Sequence, residues 1–306
     1  MTTVDPTSVA GPASTSPPIS LTSQMSGRRR WANRMANVGM VGAFFVAAIP
    51  LALVIGYVVA KGGQVLDIPF LVEDIPGSYQ RIGPGMGPAI VGTIVITGAA
   101  SALSIPLGIL GAVYLNEYGK QNRLARLIRF LTDVMTGVPS IVMGVFIYII
   151  WVLQFEAQTG IAGALALACL MLPIVVRTTE EMLRLVPDEL RQASTALGAR
   201  TWRTTLTVVL PAALPGITSG AMLAVARAAG ETAPIILVTG LTFGANWNLF
   251  EGQNTTLSAQ IFRNAARPFE GAQLRAYGAA LTLVAIVFLF TVLSRIVASR
   301  FSTKLS

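Results

Sequence analysis

Uncharged intervals longer than about 20 residues, the length a helix needs to cross a bilayer, recur along this chain between short basic segments. Between Arg34 and Lys61 lie 26 uncharged residues, including the apolar run 41–60. Between Arg81 and Glu117 lie 35, continuously apolar or small over 90–115. Asp133 and Glu156 enclose 22 more, and Glu156 and Arg177 enclose 20. A fifth segment over 213–240 is apolar apart from Arg227 and Glu231, and the sixth fills the 19 residues between Arg275 and Arg295. The pattern predicts six transmembrane helices in an all-α membrane protein. Splitting the fifth segment at its charges leaves 233–238, too short to cross, so one span with two internal charges is the expectation.

Composition agrees. Of the 306 residues, 53% are hydrophobic and 12% charged, and mean hydropathy is +0.66. A soluble chain carries about twice that charge. With no histidine and one cysteine, Cys169, a disulfide scaffold, imidazole acid/base chemistry and a Cys/His zinc site are excluded.

The net charge of +8 resolves into topology rather than a nucleic-acid surface. With the N-terminus inside, 16 Lys and Arg fall in inner segments and 5 in outer ones. That is a strong positive-inside bias, and it places both termini in the cytoplasm. Residues 1–35 read as a disordered cytoplasmic tail, Ser-, Thr- and Pro-rich over 1–27, and 36–61 as the first span.

The longest inner loop, 186–211, carries its own signals. Pro187 suits a first helical position, Asp188 and Glu189 favour the N-terminal dipole, and Leu190, Ala193 and Leu197 recur on one face. Gly198 can take the positive φ of a C-terminal cap, and a second amphipathic stretch from Trp202 is expected to stop at Pro211. On physics alone this helix–turn–helix could equally be an interfacial element resting on lipid headgroups.

Gln192-Ala193-Ser194, Gly198 after three residues, and Val208-Val209-Leu210-Pro211 after nine more resemble the EAA loop of ABC importer permeases. That motif has Glu, Ala and Ile where this chain has Gln192, Ser194 and Val208. The resemblance implies an importer type I permease core over 88–300, with a cytoplasmic coupling helix on which Gln192, Ala193, Ser194, Leu197 and Gly198 meet an ATPase.

Four further strings narrow it. Gly137-Val138-Pro139-Ser140-Ile141-Val142, Leu172-Pro173-Ile174-Val175-Val176-Arg177, Val186-Pro187-Asp188-Glu189-Leu190-Arg191 and Ala226-Arg227-Ala228-Ala229-Gly230-Glu231-Thr232-Ala233-Pro234 occur in order. Together they resemble the PstA-type permeases of phosphate importers. The resemblance implies inorganic phosphate as cargo and the bacterial plasma membrane as location. It implies three partners: a PstC-type second permease, a PstB-type ATPase dimer and a PstS-type extracytoplasmic binding protein.

Arg227 and Glu231 are spaced to pair on one helix face. Intramembrane charges mark pathways by default, and a guanidinium fork suits a tetrahedral oxyanion. Arg227 is the expected phosphate attractor with Glu231 balancing it; the alternative is an ion pair that only orients the span. Thr232, beside Glu231, and Ser140, after the predicted kink at Pro139, are the other expected pathway residues. The chain has no G-x-x-x-x-G-K-[ST] phosphate loop, so ATP belongs to the partner ATPase and no cofactor is expected in this chain. A transmembrane enzyme would need denser chemistry. A passive anion channel would leave the coupling loop without purpose, and sulfate or molybdate is not separable from phosphate by physics.

Asn254-Thr255-Thr256 fits a glycosylation pattern, and 257–266 could form a short amphipathic helix carrying Gln260 and Arg263 in the outer loop.

Overall fold

The computed structural model describes residues 27–83, 85–119 and 122–302, and every regular element among them is helical. Contacts divide the chain at Val54 into two units. The first consists of the greater part of α1 (Gly27–Gly62), an apolar helix with its side chains exposed. Of the predicted disordered tail, 1–26 lie outside the described residues, whereas 27–35 are helical and lengthen the first span.

The second unit takes the last turns of α1 from Ile55 and continues with α2 (Ile68–Val72), capped by the Asp67 carboxylate, which accepts from the Phe70 N–H at 2.8 Å. Next comes α3 (Gly87–Val113), with Pro88 in its first turn, where a missing N–H costs nothing. A wider π turn, Tyr114–Gly119, extends it. Asn122 caps α4 (Arg123–Gly137), its side chain accepting from the Ala125 N–H at 2.7 Å. α5 (Ser140–Ile147) runs through a π segment, Tyr148–Val152, into α6 (Leu153–Phe155). α7 (Gly160–Arg184) keeps Pro173 inside a continuous helix. The loop after α7 folds as α8 (Asp188–Ala196) and α9 (Thr201–Thr204). A π segment, Thr205–Val209, leads into α10 (Leu210–Gly230), then α11 (Ala233–Val238), α12 (Leu257–Ala265) and α13 (Glu270–Ser302).

Small residues let the central helices approach. A Cβ on Gly108 of α3 would sit 2.7 Å from Val175 Cγ1 of α7, and Ala100, Ala164, Ala224 and Ala228 share one buried cluster with Ile96, Leu167 and Met171. Close backbone approach is the means of packing available where lipid removes the hydrophobic drive between helices. Hydroxyls along these helices bond back one turn, as Thr93 does to Ala89 O at 2.7 Å and Thr178 to Ile174 O at 2.9 Å.

Three expectations about where helices break or end need correction. Among the described residues five helices are long and apolar enough to cross a membrane, and α4 with the Ser140–Phe155 helix, counted as one bent span, makes the six of the pattern. Those two meet at 107°, because Pro139 pushes Val138 into extended backbone (φ −74°, ψ 130°) and the chain breaks rather than kinks. The fifth span ends at Gly230 instead of running to Gly240, since Glu231 is extended at φ −67°, ψ 131°. At its other end, the amphipathic stretch does not stop at Pro211. Helix Thr201–Gly230 is unbroken, and the π segment ahead of Pro211 opens the ring that would otherwise clash with the proline.

Candidate functional site

The geometry of α8 follows from its caps. Pro187 is the cap residue rather than the first helical one, and Asp188 and Glu189 occupy the first turn. At the other end Gly198 takes φ +81°, its N–H bonds Thr195 O at 2.9 Å, and the Ala199 N–H reaches Ser194 O at 3.2 Å. This pair of bonds is the Schellman stop, and it satisfies carbonyls that the helix leaves orphaned. Ser194 and Thr204 hydroxyls meet at 2.9 Å, tying α8 to α9. Gln192, Ala193 and Gly198 are exposed, Ser194 is half-buried, and the Leu197 side chain stands almost free, 89% exposed. The five loop residues picked out by sequence thus fall on one short, outward-facing helix and its stop.

Arg191, to which the sequence assigns no role beyond its place in the Val186–Arg191 string and in the basic-residue distribution, is the residue that holds this helix. Its Nη1 donates to Val186 O at 2.7 Å and Asp188 Oδ1 at 3.0 Å, and its Nη2 to Leu183 O at 2.8 Å and Glu117 Oε1 at 3.0 Å. The Nε–H completes the set on Glu117 at 3.3 Å. A cleft of about 490 Å³ opens beside this cluster, lined by Glu117, Arg184, Arg191, Gln192, Thr201 and Thr204 among others.

Glu180 of α7 is buried and holds two cations, Arg129 of α4 at 2.9 Å and Arg184 at 2.5 Å. Arg129 also caps Leu115 O at 2.8 Å. Arg177 bridges Asp133 at 3.2 Å and Glu181 at 3.3 Å. Glu180–Arg184 and Arg177–Glu181 have the i,i+4 spacing of a helix pair, whereas no spacing rule signals Arg129–Glu180 and Arg177–Asp133, which join α4 to α7.

Arg227 and Glu231 do pair, at 3.5 Å between Nε and Oε1, but not on one helix face. Arg227 lies in the last turn of α10, where a cation suits the C-terminal dipole, and Glu231 is already past the helix end. The Arg227 side chain is 64% exposed and Glu231 only 16%. Glu231 is fixed through its backbone: its N–H bonds Ala228 O at 3.1 Å, and its carbonyl accepts from Ser258 Oγ of α12 at 2.8 Å. Thr232 follows, its hydroxyl donating to Gly230 O at 3.3 Å.

Ser140 joins neither member of the pair by a hydrogen bond among the described residues; packing supplies the link. Gly144 of α5 lies against Pro234 of α11, where an added Cβ would be 2.6 Å from Pro234 Cα, and Ile147 shares a cluster with Val238. The two helices therefore run the same way, and Ser140 sits toward the end where Glu231 and Thr232 interrupt the chain. α5, which follows the break at 138–139, and α11, which follows the break at 231–232, thus pack against each other.

In the loop between α11 and α13, α12 forms over 257–265 as the pattern predicts, capped by Thr256. Its packed face buries Leu257, Ser258, Gln260 and Asn264, and the Leu257 N–H bonds Thr93 Oγ1 at 2.9 Å. Arg263 donates to Gly240 O at 3.2 Å, and burial draws its guanidinium below the usual arginine value. Asn254 and Thr255 are fully buried, which removes the apparent glycosylation site.

The model of the family described as "binding-protein-dependent transport system inner membrane component" matches residues 104–305. "Phosphate transport system permease protein PstA 1" of Mycobacterium tuberculosis strain H37Rv is 43% identical over 264 residues, 85% of each chain. "Phosphate transport system permease protein PstA" of Yersinia pestis is 38% identical, over 88% of this chain and 90% of that one. Among solved structures, a bacterial alginate ABC transporter in complex with an alginate pentasaccharide-bound periplasmic protein superposes with a TM-score of 0.61. It is 13% identical and covers 88% of this chain and 96% of the other. A chain of the MetNI methionine ABC transporter in an inward-facing conformation gives 0.55 at 20% identity, over 70% and 93%. These last two likenesses are of fold.

Proposed function

Since the chain belongs to the binding-protein-dependent transport permeases, in their PstA branch, we propose that its cargo is inorganic phosphate and that Arg227 meets that cargo on the way across. The chain is a multi-pass membrane permease subunit of an ATP-binding-cassette importer, not a catalyst. Its partners in this reading are a PstC-type permease, a pair of PstB-type ATPases that bind the ATP, and a PstS-type binding protein outside. The 16-to-5 distribution of basic residues supports cytoplasmic termini and hence α8 on the ATPase side.

The observation that carries the role of Arg227 is its exposure combined with weak tethering. One contact at 3.5 Å to Glu231 leaves most of the guanidinium fork free to donate to an anion. Glu231, held in place by its backbone, keeps the site near neutral between cargo ions, so phosphate is attracted without being trapped. Thr232 and Ser140, each beside a helix break, complete the polar lining of the path. The exposed Gln192, Ala193, Ser194, Leu197 and Gly198 form the surface that docks on the ATPase.

Proteoliposomes carrying the full complex test this directly. Arg227→Gln is expected to abolish phosphate uptake while the subunits still assemble; undiminished uptake would remove Arg227 from the path. In the wild-type complex, excess sulfate or molybdate should leave phosphate uptake unchanged. Competition at equal strength would make the cargo oxyanions in general.

A further inference from the structure

We propose that Arg191 is the positioning residue through which motion of α8 is delivered to α3 and α7, an inference that rests on α8 being the ATPase-docking helix. A guanidinium has five N–H donors, and here all five are engaged. Two go to carbonyls at the end of α7 (Leu183 and Val186), one to Asp188 in the first turn of α8, and two to Glu117 at the end of α3. Asn116 Nδ2 donates to Glu117 Oε1 at 2.7 Å, fixing the carboxylate from the other side. The Arg191 and Glu117 side chains are 19% and 8% exposed, so the pair is largely withdrawn from water, where charge-assisted bonds are strong and their geometry is fixed.

The rest of α8 offers no comparable hold. None of its residues is buried, and its hydroxyl contact at Ser194 reaches α9, which α8 already adjoins in sequence. A helix with no buried face that is pushed by a partner transmits the push through its backbone ends and through its stiffest side-chain attachment. That attachment is one side chain, bonded at once to the ends of the two helices that form the central seam of the bundle. Lysine cannot replace it, because an ammonium has three donors and no planar fork to grip a carboxylate while capping two carbonyls.

The test uses the full importer complex in proteoliposomes, with ATP hydrolysis and phosphate uptake measured on the same preparation. Arg191→Lys and Glu117→Gln should assemble and hydrolyse ATP, but uptake per ATP should fall about tenfold. Glu117→Asp, which keeps the charge, should recover part of the ratio. Spin labels at Ala196→Cys on α8 and Leu110→Cys on α3, with Cys169→Ala, supply a second readout. In the wild-type background both labels should shift on ATP binding; with Arg191→Lys the α8 label alone should shift. An unchanged uptake-to-ATP ratio, or an α3 label that still follows α8, would overturn the proposal. If the wild-type complex takes up no phosphate while both labels still move together, the cargo assignment fails and the role of Arg191 stands.

Discussion

Arg191 and Arg227 lie toward opposite ends of the long helix Thr201–Gly230 and its approach, and their surroundings differ in almost every respect. Arg191 is mostly covered, makes five donor contacts and joins three elements. Arg227 is mostly exposed and has one carboxylate at 3.5 Å. Glu180, with Arg129 and Arg184, belongs to the first type: a buried carboxylate between two cations that locks α4 onto α7. The difference separates charges that hold the fold from a charge that is kept available. A pair that is buried and multiply bonded is costly to break, whereas an exposed single contact is worth little to stability.

The largest effect expected from this contrast is at Glu180. Glu180→Leu leaves Arg129 and Arg184 without their shared carboxylate, and about 2–3 kcal/mol of stability should be lost. Thermal unfolding of the detergent-purified complex would show it as a lowered midpoint; a midpoint within error of wild type would break the distinction. Next is Gly198→Ala. Nothing lies within 4 Å of the added Cβ, so the cost is the left-handed backbone alone, about 1 kcal/mol. The readout is binding of the purified permease pair to the ATPase, which should weaken as the end of α8 frays. The smallest effect on stability is at Arg227→Gln, where less than about 0.5 kcal/mol is expected. Its unfolding midpoint should match wild type even though uptake is lost. A clear destabilisation there would make the pair an orienting element of the fold instead.

Much of this architecture was legible in order. The long apolar helices Gly27–Gly62, Gly87–Gly119, Gly160–Arg184 and Glu270–Leu293 emerged where the pattern put spans, because burial in lipid leaves few sequence solutions. The loop helix and its stop were legible for a local reason: acidic first turn, apolar spacing and Gly198 all act within one another's reach. The break at Pro139 was visible as a proline but not as a 107° turn, since the angle depends on what α4 packs against. The π segment ahead of Pro211 was missed because the strain relief lies in residues with no unusual composition of their own.

The sequence by itself determined the class of the protein, the clustering of basic residues between spans, the span-sized apolar segments and a loop helix of defined length. Those depend on composition and on interactions within a few residues. Only the tertiary structure decided that Glu231 lies beyond the helix that carries Arg227, that α5 packs against α11, and that Glu117 holds Arg191. The last pair is 74 residues apart in the chain. Each of its members, read alone, is an ordinary charge near a membrane end. Their partnership exists because the α3–α7 seam brings two helix ends together, and no local rule encodes which charges such a seam will align.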